Sequence, residues 1–390
     1  MDARGLKKER RRVEVRNIDN LNVQAFDIGN DYPQLVDNLV RSSGTAASCV
    51  DRRAKFIGGR GFASPLAYKF ITDPATGETA DALHAKLVSD AARFDAIAIH
   101  VTYNALGEKV AYRHVPLEFC RLCLPDDAGN VSQIAVFDDW TLQKTGKQKK
   151  QLKVENVDYI DVYNPDPSVA IEQFKKAAEQ GIAYKGQILY INLKGVTNTY
   201  TLPIYDEVLT DISTEGGCAT IRNRGARNSF LPAGMLIVPP PVISGDENDN
   251  AKDEFTNDLK EFQGAENSHR VFTFFLDQGD SEPKFVPFES KSWGDEFKAS
   301  EEASKKNIGS RFMQPAILRG EAVNSGFATD VMQDAYRFYN SVTESDRLFF
   351  ERLYNTLFRG DEAGNDFSIL PLRYSEALQN VDKVLELLKD

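Results

Sequence analysis

The strongest signal for the fold starts with a short predicted strand block, Ser229-Phe-Leu-Pro-Ala-Gly-Met-Leu-Ile-Val238. An acidic segment follows it, with Phe255, Leu259 and Phe262 at the spacing of an amphipathic helix. An aromatic strand, Val271-Phe-Thr-Phe-Phe-Leu276, comes next, and a further strand is predicted at residues 284–288. The order strand, helix, strand predicts a small βαβ module.

Two helices are predicted on either side of this module, at residues 204–228 and 290–312. The glycine pair Gly216-Gly217 weakens the first of them, since each glycine costs about 1 kcal/mol relative to alanine. The proline-containing loop Met313-Gln-Pro-Ala-Ile-Leu-Arg-Gly320 follows the second. Beyond the loop, Phe327, Val331, Phe338 and Val342 repeat at helical steps, and the pattern predicts a break near residues 343–345. Leu348, Phe349, Leu353 and Leu357 continue the stripe, and a last helix is predicted at residues 375–388.

The N-terminal half predicts a mixed helix and strand domain. Residues 1–31 are polar, contain the basic run Lys7-Lys-Glu-Arg-Arg-Arg12 and are predicted to be a flexible tail, with contact to packaged DNA or a capsid partner as the alternative. Helices are predicted at residues 32–57 and 79–94. Alternating apolar residues at 96–103 and 109–115, around a short Asn and Gly turn, predict a β-hairpin. Further strands are predicted at residues 134–137, 159–163 and 187–193, with a basic loop at 145–150.

Composition limits the class of protein. The chain has 390 residues, 42% of them hydrophobic, and no apolar run long enough for a membrane helix, so we expect a soluble, non-secreted protein. Four scattered cysteines fit a reducing compartment. The net charge of −11 argues against tight, non-specific binding to nucleic acid. It does not exclude DNA that only passes by, because an acidic wall repels phosphate.

Motifs for catalysis or metal binding are weak. The sequence contains no Gly-x-x-x-x-Gly-Lys-Ser/Thr phosphate loop, and Gly58-Gly-Arg-Gly61 follows a helix, which favours a helix end over a ligand-binding loop. Cys120-Arg-Leu-Cys123 has no second pair, which favours structural thiols over zinc. His100 and His114 are predicted to form a cross-strand pair in the hairpin. We therefore predict no catalytic residues, no metal site and no cofactor.

The order of these segments resembles that of tailed-bacteriophage portal proteins, the head-to-tail connector rings. Arg227-Asn-Ser-Phe-Leu-Pro-Ala-Gly-Met-Leu-Ile237 is similar to the turn of that family between stem helix and clip domain, and Phe262-Gln-Gly-Ala-Glu-Asn-Ser-His-Arg-Val-Phe272 is similar to a clip signature. The resemblance implies an α+β, portal-like fold with a wing (32–203), a first stem helix (204–228), a clip (229–289), a second stem helix (290–312), a tunnel loop (313–325) and a helical C-terminal wing with a short crown (326–390).

The same resemblance implies a function without catalysis. Around twelve copies would form a ring at one capsid vertex, through which double-stranded DNA is packaged and ejected. The implied partners are the terminase large subunit, which supplies ATP hydrolysis, the major capsid protein and scaffold, and the head–tail adaptor. The implied location is the virion, after assembly in the host cytoplasm, without membrane contact.

The candidate site residues follow from this resemblance and from charge. Lys291, Lys298 and Lys305 recur every seven residues on one helix, so they form a row that either lines the channel or meets solvent. The channel candidates are Lys298, Lys305, Lys306, Arg311, Gln314, Arg319 and Asn324, with the Gln314-Pro315 loop as the constriction. The candidates for motor docking on the clip are Asp246, Glu247, Asp249, Glu254 and Asp258.

Alternative functions remain open at this stage. Another structural ring or adaptor protein of the virion would share the lack of catalytic motifs, although an adaptor is normally shorter and lacks the clip module. An enzyme that uses the Gly58 to Gly61 loop would gain thermal stability from a nucleotide. A generic DNA-binding protein would show steep salt dependence of its affinity, which the acidic composition disfavours.

Overall fold

The protein is described from a computed structural model, which covers residues 13–140, 154–194, 199–228, 234–238, 271–275, 284–287, 293–321, 328–359 and 366–374. The chain divides into two compact units. The first combines Met1–Leu209 with Ile308–Asp390, and the second is Thr210–Asn307. Because the first unit is made of two separate stretches of sequence, its core depends on both of them.

The bounds of the elements agree with most of the predicted ones. The described helices are α1 (Tyr32–Ser42), α2 (Gly44–Gly58), α3 (Pro65–Lys69), α4 (Ala80–Phe94), α5 (Pro167–Glu179), α6 (Leu209–Asn228), α7 (Trp293–Arg311), α8 (Ala328–Val342) and α9 (Glu344–Leu357). The described strands are β1 (Val15–Ile18), β2 (Val23–Phe26), β3 (Ile71–Asp73), β4 (Glu78–Thr79), β5 (Ala96–Tyr103), β6 (Lys109–His114), β7 (Cys120–Leu122), β8 (Gln133–Val136), β9 (Asp158–Val162), β10 (Gln187–Asn192), β11 (Gly234–Val238), β12 (Val271–Phe275) and β13 (Lys284–Pro287).

A six-stranded sheet organises the first unit, in the order β6-β5-β10-β9-β8-β7. Its neighbouring strands are antiparallel except for β10 and β9, which are parallel. The predicted hairpin is confirmed as β5 and β6, and its turn uses Gly107 at a φ of 78°, a conformation that glycine adopts without strain. The predicted strands at 134–137, 159–163 and 187–193 are confirmed as β8, β9 and β10.

The main core lies where α2 and α4 pack near this sheet and receive aromatic side chains from the C-terminal stretch. Leu83, Ile97 and Ile99 from the N-terminal stretch are fully buried together with Tyr354 and Phe367 from the C-terminal one. An antiparallel bridge between Phe62 and Ile369 is one of the contacts that join the two stretches. The C-terminal stretch is therefore an integral part of the first unit.

Two predictions for the N-terminal region are wrong. The helix predicted at 32–57 is two helices, because Ser43 has an extended backbone and begins α2 by accepting a hydrogen bond from the Ala46 amide at 3.0 Å. The predicted flexible tail at 1–31 ends earlier, because β1 and β2 form an antiparallel hairpin with Val23 and Phe26 buried. The basic run at residues 7–12 lies outside the described residues.

Two of the three predicted C-terminal helices lie within the described residues, and they differ from the prediction in one detail. The predicted break is confirmed, because α8 ends at Val342 and α9 begins at Glu344. The hydroxyl of Thr343, between them, donates to the Tyr339 carbonyl at 3.0 Å. However, Phe338 is 52% exposed, whereas Ala335 and Tyr339 are buried. The buried face of α8 therefore includes Ala335 and Tyr339 but not Phe338. The helix predicted at 375–388 lies outside the described residues.

The second unit contains the predicted strands of the βαβ module. Strand β11 is parallel to β12 and antiparallel to β13. A parallel pair needs a crossover connection, which agrees with the predicted strand, helix, strand order, although the residues between β11 and β12 are not among those described. Helix α6 runs through Gly216 and Gly217 without a break and begins at Leu209, because residues 206–208 form a short 3₁₀ helix instead of its predicted first turn.

Candidate functional site

The candidate channel cations lie on α7 and in the segment that follows it. On the part of α7 in the second unit, Lys298 and Lys306 are exposed. Lys305 is engaged differently: its Nζ lies 2.6 Å from Glu301 Oε1, and Arg222 Nη1 lies 2.9 Å from Glu301 Oε2. The hydrogen bond from Lys305 lowers the pKa of Glu301. Much of the Lys305 charge is therefore balanced locally.

Arg311 lies at the end of α7, in the first unit. Its Nε is 2.6 Å from Glu207 Oε2 and also donates to the Ile204 carbonyl. The Arg311 side chain is 38% exposed. Arg311 thus fastens the chain before α6 to the end of α7, and part of its charge is balanced by Glu207.

Gln314 does not face solvent, so it is removed from the channel candidates. The residue is 5% exposed, and its Nε2 donates to the Cys49 carbonyl at 2.7 Å and to the Tyr339 hydroxyl at 2.9 Å. These bonds join the segment after α7 to α2 and α8, while Gln314 Oε1 is buried without a hydrogen-bond partner among the described residues. The sequence placed Gln314 in the channel because it is polar and lies beside a proline in a loop. The structure places its side chain in the interior, because acceptors from α2 and α8 lie within hydrogen-bond distance of Nε2.

Arg319 also has partners within its own segment. Its guanidinium makes a bidentate ion pair with Glu321, at 2.8 and 3.0 Å, and donates to the Gln314 carbonyl at 2.8 Å. The hydrogen bond to Glu321 raises the pKa of Arg319. The guanidinium lies so close to Gly309 that a β-carbon there would collide with it. Arg319 is thus placed by neighbours rather than left free.

The remaining candidates have no described position. Lys291, Asn324 and the clip carboxylates Asp246, Glu247, Asp249, Glu254 and Asp258 lie outside the described residues. Lys298 and Lys306 are consequently the channel candidates whose described surroundings leave the ammonium group exposed.

A buried ionic network near this segment was not foreseen from the sequence. Arg53 Nη2 on α2 lies 2.6 Å from Asp95 Oδ1, after α4, and 3.1 Å from Asp346 Oδ2 on α9. The other oxygen of Asp95 accepts a hydrogen bond from the Ile204 amide at 2.7 Å. Since the Ile204 carbonyl also binds Arg311, this network positions the chain that leads to α6. No local sequence signal marks it, because its members are far apart along the chain.

The motifs considered for chemistry have structural roles. Gly58 and Gly59 end α2, and Gly59 has a φ of 62° with the Leu370 carbonyl where a β-carbon would stand. Burial raises the pKa of the Cys120 thiol to about 12 and that of Cys123 to about 11, the opposite of a reactive thiol. The predicted cross-strand histidine pair is wrong: His100 lies opposite Arg113, and His114 Nε2 lies 2.8 Å from Asp90.

The described residues contain no group of three or more histidine, cysteine or carboxylate side chains that could hold a metal ion. Among the same residues, no helix is long and apolar enough to cross a membrane.

Comparison with known proteins adds evidence at the level of the fold. Neither models of known protein families nor curated protein sequences match this chain. A chain from the virion of a native gene transfer agent particle matches with a TM-score of 0.50 and 13% identity, over 91% of this chain and 87% of that one. A chain from the neck of the native particle, computed with C12 symmetry, matches with a TM-score of 0.50 and 14% identity, over 91% and 88%.

The chain shares its fold with these particle chains. A crystal structure of an HK97-family phage portal protein from Corynebacterium diphtheriae is also similar, with a TM-score of 0.44, 11% identity and coverage of 90% and 96%. The mixed α+β fold expected from the sequence is confirmed, and it is the fold of these particle chains. The likeness extends over about nine tenths of the chain, so it includes both stretches of the first unit and the segment between them.

Proposed function

We propose that this protein is a portal protein, which forms a ring at one capsid vertex for the passage of double-stranded DNA. The observation that carries the proposal is the likeness of nearly the whole chain to a chain from a particle neck. A ring requires contacts between two different surfaces of each subunit that close after a fixed number of copies. We propose twelve copies, in keeping with the C12 symmetry used for that neck.

The other parts of the proposal concern partners. The ring would dock the terminase large subunit during packaging and the head–tail adaptor afterwards, and it would contact the major capsid protein and scaffold. Its place would be the virion, after assembly in the host cytoplasm. The protein itself would not be an enzyme, since hydrolysis of ATP would belong to the terminase.

Electron microscopy of the purified full chain tests the ring. We expect rings with a central hole and twelve-fold symmetry in class averages, and a single species of matching mass by mass photometry. Co-expression with the cognate scaffold and capsid proteins provides a second arm for a ring that needs partners to assemble. A chain that stays monomeric at high concentration in both arms would contradict the proposal. A closed ring that is found only at the tail side of the adaptor would favour another virion ring protein.

Within the ring, we propose that Lys298 and Lys306 face the DNA channel. In a packaging reaction with the cognate terminase and capsids, K298E/K306E should lower the amount of packaged DNA several-fold, because acidic side chains in a narrow lumen repel phosphate. Nuclease-protected DNA is the measurement. The matched control is K175E/K176E on α5, where both lysines are exposed and the charge change is the same. Equal packaging by the two variants would show that the α7 lysines meet only solvent.

A further inference from the structure

A segment of the C-terminal stretch lies between the end of α2 and α8. The Arg60 amide donates to the Leu370 carbonyl at 2.7 Å, and the Leu370 amide donates to the Gly61 carbonyl at 3.0 Å. On the other side, Asn340 Nδ2 donates to the Leu372 carbonyl at 2.8 Å. These bonds hold residues 366–374 in a defined path across the first unit.

Two adjoining grooves follow this segment. One has a volume of about 540 Å³ and lies along the end of α2, and the other, of about 530 Å³, lies along α8. Tyr336 and Leu372 line both grooves, so the two form one continuous depression, here called the basic trough. Besides Arg347, its cations are Arg52, Lys55, Arg60, Arg337 and Arg373.

The cations of the basic trough are available for a ligand. Lys55, Arg60 and Arg373 are exposed, and within the described part of the chain neither they nor Arg52 make an ion pair. Arg337 contacts Asp334 at 3.3 Å, but both side chains are at least 75% exposed, so this contact is worth little.

The local balance of charge is positive, although the chain carries a net charge of −11. The carboxylates that line the two grooves are Asp81 and Glu344, against the five cations named above. Arg347 also lines the trough, but its guanidinium is spent on the carbonyls of Phe56 and Asn340. The trough therefore carries a local excess of positive charge, although the acidic composition of the whole chain disfavours nucleic-acid binding.

One neutral donor accompanies the cations. Tyr374 is 39% exposed and packs edge-on against Tyr336, which itself contacts Phe56, so the Tyr374 ring is held in place. Ser341 and Asn340 line the same groove, but the Ser341 hydroxyl already donates to the Phe338 carbonyl and Asn340 Nδ2 to the Leu372 carbonyl. Arginine and lysine, supplemented by hydroxyl donors, are groups that proteins use to contact phosphate oxygens without reading base sequence.

We propose that the basic trough binds the phosphate backbone of double-stranded DNA. This assigns DNA contact to a surface of the first unit that is separate from the α7 lysines. The choice of DNA over an acidic protein segment rests on the proposed portal function. The inference of an anion-binding surface rests instead on the charge and exposure of the trough residues. Several copies in one ring would present several troughs to a single duplex, which would strengthen weak individual contacts.

Salt-dependent binding to DNA tests the assignment. A fluorescent duplex of about 30 base pairs is titrated with the full chain between about 50 and 200 mM salt, where each phosphate contact contributes about 0.9 to the logarithmic salt slope. Neutralising three exposed cations in K55Q/R60Q/R373Q should make that slope shallower by about 2.7 and weaken binding at least tenfold at the lower salt concentration. The matched control is K69Q/K175Q/K176Q, three exposed lysines outside the trough with the same change of charge.

The outcomes separate this assignment from the portal proposal. Equal slopes for the trough and control variants would overturn it, whether or not rings form. Competition by poly-glutamate as effective as that by DNA at equal charge would also overturn it and reassign the trough to an acidic protein segment. Selective loss of DNA binding in the trough variant, with an unchanged thermal midpoint, would support it. Imaging the same samples shows separately whether the ring exists.

Discussion

Replacement of Asp95 by asparagine is expected to lower the free energy of unfolding of the first unit by about 3–5 kcal/mol. Asp95 is fully buried, and its carboxylate lies 2.6 Å from the guanidinium of Arg53, whose side chain is only 4% exposed. Without this carboxylate, Arg53 keeps only the more exposed Asp346 as a charged partner. Asparagine tolerates the left-handed backbone of this position, where φ is 53°, so backbone strain does not add to the loss.

Urea unfolding in a W293F background, where Trp140 is the remaining tryptophan and is a buried residue of the same unit, measures this effect by fluorescence. The control is D158N, which breaks the ion pair between Asp158 and Lys185. Both side chains of that pair are at least half exposed, so we expect a loss below about 1 kcal/mol. A D95N variant as stable as D158N would show that the buried network contributes nothing specific.

A double variant distinguishes two origins of the stability loss in D95N: the loss of the ion pair itself, and the cost of leaving Arg53 buried without its carboxylate partner. In R53M/D95N the guanidinium is removed together with the carboxylate, and an apolar side chain of similar length takes its place. Since most of the loss in D95N comes from an uncompensated buried cation, we expect the double variant to recover a large part of it. A double variant less stable than D95N alone would contradict that origin.

Acidification is expected to destabilise the first unit through His84. Burial lowers the pKa of His84 to about 4 from 6.5, and the Gly58 carbonyl opposes this shift in part. Between these two values the unfolded chain binds a proton that the folded chain does not, so stability falls as the pH falls through this window. From pH 7.5 to about pH 4.5 this group alone should account for a loss of about 2–3 kcal/mol.

The variant H84Q isolates this contribution. Glutamine stays neutral throughout and retains a polar group near the Tyr354 hydroxyl, which lies 2.8 Å from His84 Nδ1. Chemical unfolding at a series of pH values should therefore show a shallower loss for H84Q than for the unmodified protein. The control H114Q removes a partly exposed histidine beside Asp90 and should keep the steep loss. Parallel profiles for the unmodified protein and H84Q would rule His84 out as the cause.

Local patterns in the sequence predicted most elements well. The hairpin of β5 and β6 was predictable, because β-branched and apolar residues fill two runs on either side of a turn with Gly107. The end of α2 was predictable for a similar reason, since glycine tolerates the backbone of Gly59. In each case the signal lies within a few residues of the feature that it predicts.

The errors concern features that neighbours decide. Phe338 and Tyr339 are adjacent aromatic residues, and only the packing of Tyr339 against Phe56 decides which of them is buried. Gln314 is buried because Cys49 and Tyr339 offer partners from distant parts of the chain. The cations of the basic trough share no local motif either, because residues from three segments build it.

The Phe62–Ile369 bridge has a consequence for biosynthesis. Roughly 300 residues separate Phe62 from Ile369, so at about 5–20 residues per second a ribosome needs about 15–60 s to reach the second after the first. During that interval the apolar side chains around Phe62 and Leu83 lack their packing partners Tyr354 and Phe367, which are not yet synthesised. The nascent chain therefore exposes apolar surface while the whole second unit is synthesised. A chaperone that binds apolar segments would bind this chain most in that interval.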